Sequence, residues 1–553
     1  MAGTWQPLNN QPQFGASTML LLTDGTVMVQ AASSTNWWKL TPDANGSYVN
    51  GTWLRLADAP NAPLYYASAV LMDGRVFVAG GEYNNNARAD LDTAEIYDPI
   101  ANNWTSIAPP AGWANIGDAP CCVLPNGNIL VGSIDNTQTA IYNPSTNSWT
   151  ASASKASTAS EETWTLLPDE TVLTVECYNS PHAEKYVAAA NNWVTAGSTP
   201  SDIILESLNE IGPALLLPDG RAFYVGGNGR TALYTPPPVA NMQGSWTMGP
   251  TFPNSYKSPD APAILLPNGR ALCVAGPDAG GWASPTHFFE FDGVNLNAVP
   301  DPPTNGEVTY VARMLLLPTG QVLYANGGSD IQVYTPDGAA DPAWKPEITN
   351  VPATVRVCGT YVLSGRQLNG LSQACSYGDD CSNATNYPIV RLEKGGQVWY
   401  CRTADHSTMG VATGVSTQTT HFTVPCALAT GTYNLRVIAN GIASDAVAVN
   451  VQPFRLWAPI TEAMVNFLIG SLADGPLWAL TPHGPVPVDP WGPEIAKRAK
   501  SAFRQIVSGL RELRDVGAEI TKLQAASTKK FEPFALPPSA SRQREAVKIA
   551  KAS

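Results

Sequence analysis

Residues 64–81 read LYYASAVLMDGRVFVAGG, two apolar runs (67–71 and 76–79) hinged on Asp73-Gly74. An Asp-Gly pair between apolar runs supplies the positive φ angles of a two-residue turn, so the stretch reads as a β-hairpin. The signal recurs as Leu22-Thr23-Asp24-Gly25, Met72-Asp73-Gly74, Pro125-Asn126-Gly127, Pro168-Asp169-Glu170, Pro218-Asp219-Gly220, Pro267-Asn268-Gly269 and Pro318-Thr319-Gly320. Successive turns lie 49, 53, 43, 50, 49 and 51 residues apart. Self-similarity at a fixed period of this size predicts a repeat architecture.

More of the unit surrounds each hairpin. Gly pairs close the second strand at Gly80-Gly81, Gly226-Gly227 and Gly327-Gly328. An aromatic-x-Pro element follows at Tyr97, Tyr142, Tyr234 and Tyr334, and then a Trp at Trp104, Trp149, Trp246 and Trp344. These are the parts of a four-stranded blade, with glycines near an axis and aromatic rings between neighbouring blades. The period and its signatures resemble the kelch repeat, and seven copies resemble a seven-bladed β-propeller over residues 1–345. Trp5 lies one strand before the first hairpin, so the N-terminal strand is expected to complete the last blade and close the ring.

Composition agrees. The 553 residues include 46 Gly and 47 Pro and are only 14% charged, which predicts a turn-rich, mainly β chain of two or three domains and excludes disorder as its main state. From Arg455 onward 14 basic and 9 acidic residues leave 18 and 36 before it, so the body carries −18 and the tail +5. An acidic body excludes nucleic acid as its partner, because phosphate contacts need clustered Lys and Arg. No apolar run reaches the length of a membrane span, and no signal peptide precedes Trp5.

Residues 346–452 change to short alternating segments, which predict an immunoglobulin-like β-sandwich. Five of the nine Cys lie there, and Cys375 and Cys381 flank a short polar loop that reads as a disulfide. The odd total leaves at least one Cys unpaired, with Cys177 and Cys273 as candidates. Asn45, Asn50, Asn103 and Asn383 begin Asn-x-Ser/Thr sequences. With the disulfide they favour an extracellular, cell-surface or periplasmic setting. In 453–553 a Pro-rich linker precedes a stripe of Ala499, Phe503, Ile506, Leu510, Leu513, Val516, Ile520 and Leu523, which predicts an α-helical tail suited to self-assembly or docking.

A propeller followed by such a sandwich is similar to the galactose oxidase and glyoxal oxidase superfamily, which implies a copper ion and a Cys-Tyr thioether radical. Tyr65, eight residues before Asp73, matches the radical Tyr. Tyr83 falls where a Trp stacks on the cofactor, Tyr310 matches the axial Tyr, and His406 in Thr403-Ala404-Asp405-His406-Ser407 matches the sandwich-loop His. The Cys position reads Gly15-Ala16, and the second His is replaced in Tyr310-Val311. Copper prefers imidazole nitrogen, so copper-radical oxidation is not expected and no catalytic residue is assigned.

The position eight residues before each turn sits at one mouth of the channel. It reads Ala16, Tyr65, Asp118, Glu161, Ile211, Asp260 and Val311, with Glu162, Glu210 and Tyr310 alongside. Asp118, Glu161, Glu210 and Asp260 therefore form a predicted acidic rim, a candidate site for a hard cation such as Ca²⁺ or for a polyhydroxylated ligand. Tyr65, Tyr83, Tyr310 and His406 are the candidate ligand-binding residues. The expectation is a binding or scaffold protein for a carbohydrate or protein partner. The alternative is a carbohydrate-active enzyme, either an oxidase with a rearranged metal site or a hydrolase or lyase built on paired carboxylates such as Glu161 and Glu162.

Overall fold

A computed structural model of the chain describes residues 3–373, 376–377, 381–382, 387–453, 478–481 and 484–487. The chain divides into two compact units, 1–454 and 455–553. In the first, seven four-stranded antiparallel sheets follow one another, with inner strands Ala16–Leu21, Ala67–Val70, Cys121–Val123, Thr163–Leu166, Ala214–Leu216, Ala263–Leu265 and Arg313–Leu316. Each inner strand packs against the next, and the seventh packs against the first, so the blades form a closed ring. They are numbered 1 to 7 below in chain order.

Closure uses the N-terminal strand. Thr4–Pro7 pairs antiparallel with Gln332–Thr335 and becomes the outer strand of blade 7. Trp5 packs 4.8–5.4 Å from the rings of Phe288, Tyr324 and Tyr334, and its indole donates to Pro300 O at 2.6 Å. A ring whose last blade borrows its outer strand from the first residues leaves no open sheet edge at the seam.

The repeated Tyr and Trp face each other across the third and fourth strands. Tyr97 is opposite Trp104, Tyr142 opposite Trp149 and Tyr234 opposite Trp246, with ring centroids 5.0–5.1 Å apart. Each Trp also reaches back to the outer edge of the preceding blade: Trp104 donates to Ala57 O, Trp149 to Ala108 O and Trp246 to Ala196 O. The rings thus hold blades together as well as strands. The hairpin glycines have φ between 75° and 86°, and blade 4 places Glu170 there at φ 66°.

Residues 347–452 form a nine-stranded β unit whose hydrogen-bonded path runs from Glu347–Asn350 to Thr354–Arg356, with Ile442–Ala443 paired off it. Val355, Leu363, Leu392, Phe422, Leu435 and Val449, from both ends of the path, share one buried core, so the path folds over as two layers. Cys358 and Cys426 form a disulfide that no sequence spacing indicated. Cys177 and Cys273 are free and buried, as are Cys121, Cys122 and Cys401. The Cys375–Cys381 pairing lies outside the described side chains.

This unit sits on the hairpin-turn side of the propeller. Thr403 N donates to Thr23 O, Arg402 to Asp73 O, Met409 N to Pro125 O, and the Tyr387 hydroxyl to Leu21 O. A hairpin of Ser376–Tyr377 and Cys381–Ser382 enters the channel from it and pairs with Thr163–Trp164, making blade 4 six-stranded. The hairpin also touches the inner strands of blades 1, 2, 3 and 7. The hairpin therefore lies in the channel beside the inner strands of five blades, and the mouth away from the turns is the funnel described below.

Among the described residues no helix is long and apolar enough to cross a membrane. The helical tail expected within 453–553 lies outside the described residues. What is described there is a β-hairpin of Trp478–Thr481 and Gly484–Pro487, which overlaps the segment read as a Pro-rich linker.

Candidate functional site

The funnel is lined by the residues that precede each inner strand. Three equivalent positions adopt left-handed backbone conformations: Tyr65 at φ 55°, Glu161 at φ 57° and Asp260 at φ 49°, in blades 2, 4 and 6. A non-glycine residue pays roughly 1–2 kcal/mol for that conformation, so its recurrence at one structural position marks a rim shaped for its side chains.

Glu161, Glu210 and Asp260 bring carboxylate oxygens within 4.8 Å of one another. Glu210 and Asp260 are buried, Glu161 half-buried. At an effective dielectric of about 20, two full charges this far apart repel by about 3 kcal/mol. A trio so placed favours a proton, a cation or a ligand rich in donors. Its members are anchored: Ser160 donates to Glu161 Oε1 at 3.2 Å, Cys177 Sγ to Glu161 O at 3.0 Å, and Asp260 N to Ile211 O at 2.9 Å. Asp118, expected as a fourth member, is buried at the matching place in blade 3 and stands outside the trio.

Opposite lies an aromatic arc. Tyr65 is 6.0 Å from Tyr83 and 6.1 Å from Tyr310, and Tyr310 is 5.4 Å from Trp282, each pair edge to face. A small sheet of Pro63–Leu64, Tyr83–Asn84 and Ala87–Arg88 fixes Tyr83 beside Tyr65. Buried Arg313 donates to Tyr310 O at 2.5 Å. Gly15, at the start of the inner strand of blade 1, lies against the backbone of blade 7: a Cβ on it would lie 2.4 Å from Gly327 O. The arc joins the trio where Trp282 Nε1 donates to Asp260 Oδ2 at 2.6 Å.

Sequence reasoning missed Trp282. Its signal was a Trp after Gly280-Gly281, in the loop that follows the second strand of blade 6, where Tyr83 stands in blade 2. The sequence also left Glu161 and Glu162 as a possible acid/base pair. The structure separates them: Glu162 is buried within blade 4 against Lys155, whose Nζ is 3.1 Å from Glu162 Oε2.

His406 does not join this site. It lies between the two β units on the turn side, buried, with Nδ1 2.9 Å from Thr420 Oγ1 and its ring stacked on Tyr387. Burial pushes its pKa down to about 3, so the ring is neutral and suits packing.

A Kelch motif model matches residues 63–111, which include all four strands of blade 2. An N-acetylneuraminate epimerase of Yersinia enterocolitica is 30% identical over 105 residues, 18% of this chain and 26% of that protein. One from Yersinia pestis is 26% identical over 108 residues, 19% and 26% of the two chains. The chain thus spans about a quarter of the length of these curated relatives. Among solved structures, a fungal alcohol oxidase of the AA5 family in complex with copper is 15% identical at a TM-score of 0.49, covering 82% of this chain and 100% of that one. A virginiamycin B lyase from Staphylococcus aureus is 11% identical at 0.43, covering 60% and 99%.

Proposed function

We propose that the chain is a carbohydrate-binding kelch propeller of an extracellular or cell-surface setting. Its rim stacks the apolar face of a sugar on the aromatic arc, while Glu161, Glu210 and Asp260, with a Ca²⁺ ion among them, receive the hydroxyl groups. In this reading residues 346–452 are an immunoglobulin-like module that closes the turn-side mouth, and no residue is catalytic.

The observation that carries the reading is the Trp282–Asp260 hydrogen bond, which joins a ring wall to a carboxylate trio in one funnel. A pyranose has the matching chemistry, with C–H faces for rings and a rim of hydroxyls for carboxylates or a hard cation. The Yersinia relatives, named for N-acetylneuraminate, lend support to a sugar ligand. The Cys358–Cys426 disulfide supports an oxidising compartment.

Thermal unfolding of the full chain with Ca²⁺ and then EDTA tests the cation. At about 100 times its dissociation constant a bound ion adds about 2.7 kcal/mol, so the melting temperature should rise and EDTA should reverse it. Glu210→Gln should abolish the shift. A glycan array identifies the sugar. Stoichiometric copper in the purified protein, or no response to Ca²⁺ and no sugar bound, would overturn the reading.

A further inference from the structure

We infer that a cleft on the turn side of blade 6 takes an arginine side chain of a basic protein partner, on the ring of Trp344. The inference stands apart from the carbohydrate reading of the funnel. The sequence period assigns Trp344 to blade 7, but in the structure Trp5 stands opposite Tyr334 and fills that place, 4.8 Å from its ring. Trp344 is left over. Trp5, Trp104, Trp149 and Trp246 pack on the hydrophobic clusters of the propeller, and Trp344 packs on none of them. Among the described residues no other ring and no cation lies over it, and its indole N–H has no acceptor, although the residue is half-buried. A large ring without a partner is the unusual surface feature that marks binding.

The ring is held where it stands. A Cβ on Gly269, in the first hairpin turn of blade 6, would lie 2.3 Å from Trp344 Cη2, so the ring tip rests on a position with φ 82° that favours glycine. Asn268 of the same turn donates to Asp337 O at 2.8 Å and ties down the segment leaving blade 7. Trp344 itself ends a short 3-10 turn, Pro342–Trp344, whose start is capped by Asp341 accepting from Ala343 N at 2.8 Å. A ring fixed in advance loses little freedom when a ligand arrives.

Trp344 and Val294, the latter 72% exposed on the second hairpin turn of the blade, wall a cleft of about 500 Å³, within the size range of ligand sites. Charge selects the occupant. Arg270 in the cleft faces two carboxylates, Glu290 Oε2 at 2.9 Å and Asp337 Oδ1 at 3.1 Å, and Asp292 adds a third. One cation against three anions leaves surplus negative charge beside an open indole, which attracts a cation by field and by ring face. Arginine suits it better than lysine, because a flat guanidinium stacks on a ring while its edge donates to carboxylates. The −18 of the body adds long-range attraction for a basic partner.

The test is calorimetric titration of the full chain with hexa-arginine, hexalysine and hexaglutamate at low ionic strength. Hexa-arginine should bind tightest and hexaglutamate not at all. Trp344→Ala and Asp292→Asn should each weaken hexa-arginine by roughly fivefold and Trp344→Phe by less. Asp58→Asn, which removes the same charge from an exposed place on blade 1, should weaken it by under about twofold. Equal losses in Asp292→Asn and Asp58→Asn, or unchanged binding in Trp344→Ala at a wild-type melting temperature, would overturn the cleft and leave only diffuse attraction to an acidic surface. Failure of hexa-arginine to bind would overturn it as well. So would loss of sugar binding in Trp344→Ala with peptide binding kept, which would give the cleft to a carbohydrate.

Discussion

Lys155→Met should destabilise the propeller by about 3–5 kcal/mol, because it strips the cation from a buried ion network. Lys155, Glu162 and Glu184 are all withdrawn from solvent in blade 4. The Lys155 ammonium lies 3.1 Å from Glu162 Oε2, forms a second ion pair with Glu184, and sits 4.4 Å from the centre of the Trp193 ring. Trp164 and Thr174 donate to the same Glu162 oxygen at 2.9 and 3.0 Å. One cation faces two carboxylates, so the cluster holds surplus negative charge. Burial lifts Glu162 to about 7 and Glu184 above its usual range, with attraction to Lys155 opposing both. Burial disfavours the Lys155 charge, yet its carboxylates outweigh that and raise its pKa.

The pH dependence has a definite sign. A carboxyl raised from 4.5 to about 7 holds a proton in the folded chain that the unfolded chain releases. Its contribution is therefore complete below about pH 4.5 and is lost as pH climbs to about 7, for a total of about 3 kcal/mol. In Lys155→Met both carboxylates titrate higher still, so the loss should be larger at about pH 8 than at about pH 6. Urea unfolding followed by Trp fluorescence measures it, since Trp164 and Trp193 border the cluster. A loss under about 1 kcal/mol at the higher pH, or equal losses at both, would refute the account.

Trp5→Ala removes the ring that seats the closing strand and should cost about 3–5 kcal/mol in the same unfolding assay. Gly15→Ala pushes a methyl group against Gly327 O at the seam of blades 7 and 1, which should cost about 1–3 kcal/mol in the same urea unfolding assay. Cys358→Ser opens a loop of 68 residues and should lower stability by about 4 kcal/mol, matched by wild-type protein in reductant.

The blades were legible because their signals are local. An Asp-Gly turn between apolar runs reads as a hairpin, and the Tyr and Trp of the third and fourth strands lie only seven to twelve residues apart. Counting eight residues back from each turn located Tyr65, Glu161 and Asp260 at the mouth. Counting could not tell Glu161 from Glu162, because a left-handed residue at Glu161 sends one carboxylate to the funnel and leaves the next in the blade. Nor could it exclude Asp118 or His406, since the first depends on where blade 3 stands in the ring and the second on which face of the propeller the sandwich covers.

By itself the sequence determined the period, the number of blades, the closing strand and the acidic and aromatic character of the rim, all properties written within each repeat. Only the tertiary structure decided which residues meet. The trio, the four-ring arc, the Trp282–Asp260 bond and the hairpin in the channel join positions tens to hundreds of residues apart. Such contacts are set by closure of the ring and by variable loops that carry no period, so no local pattern encodes them.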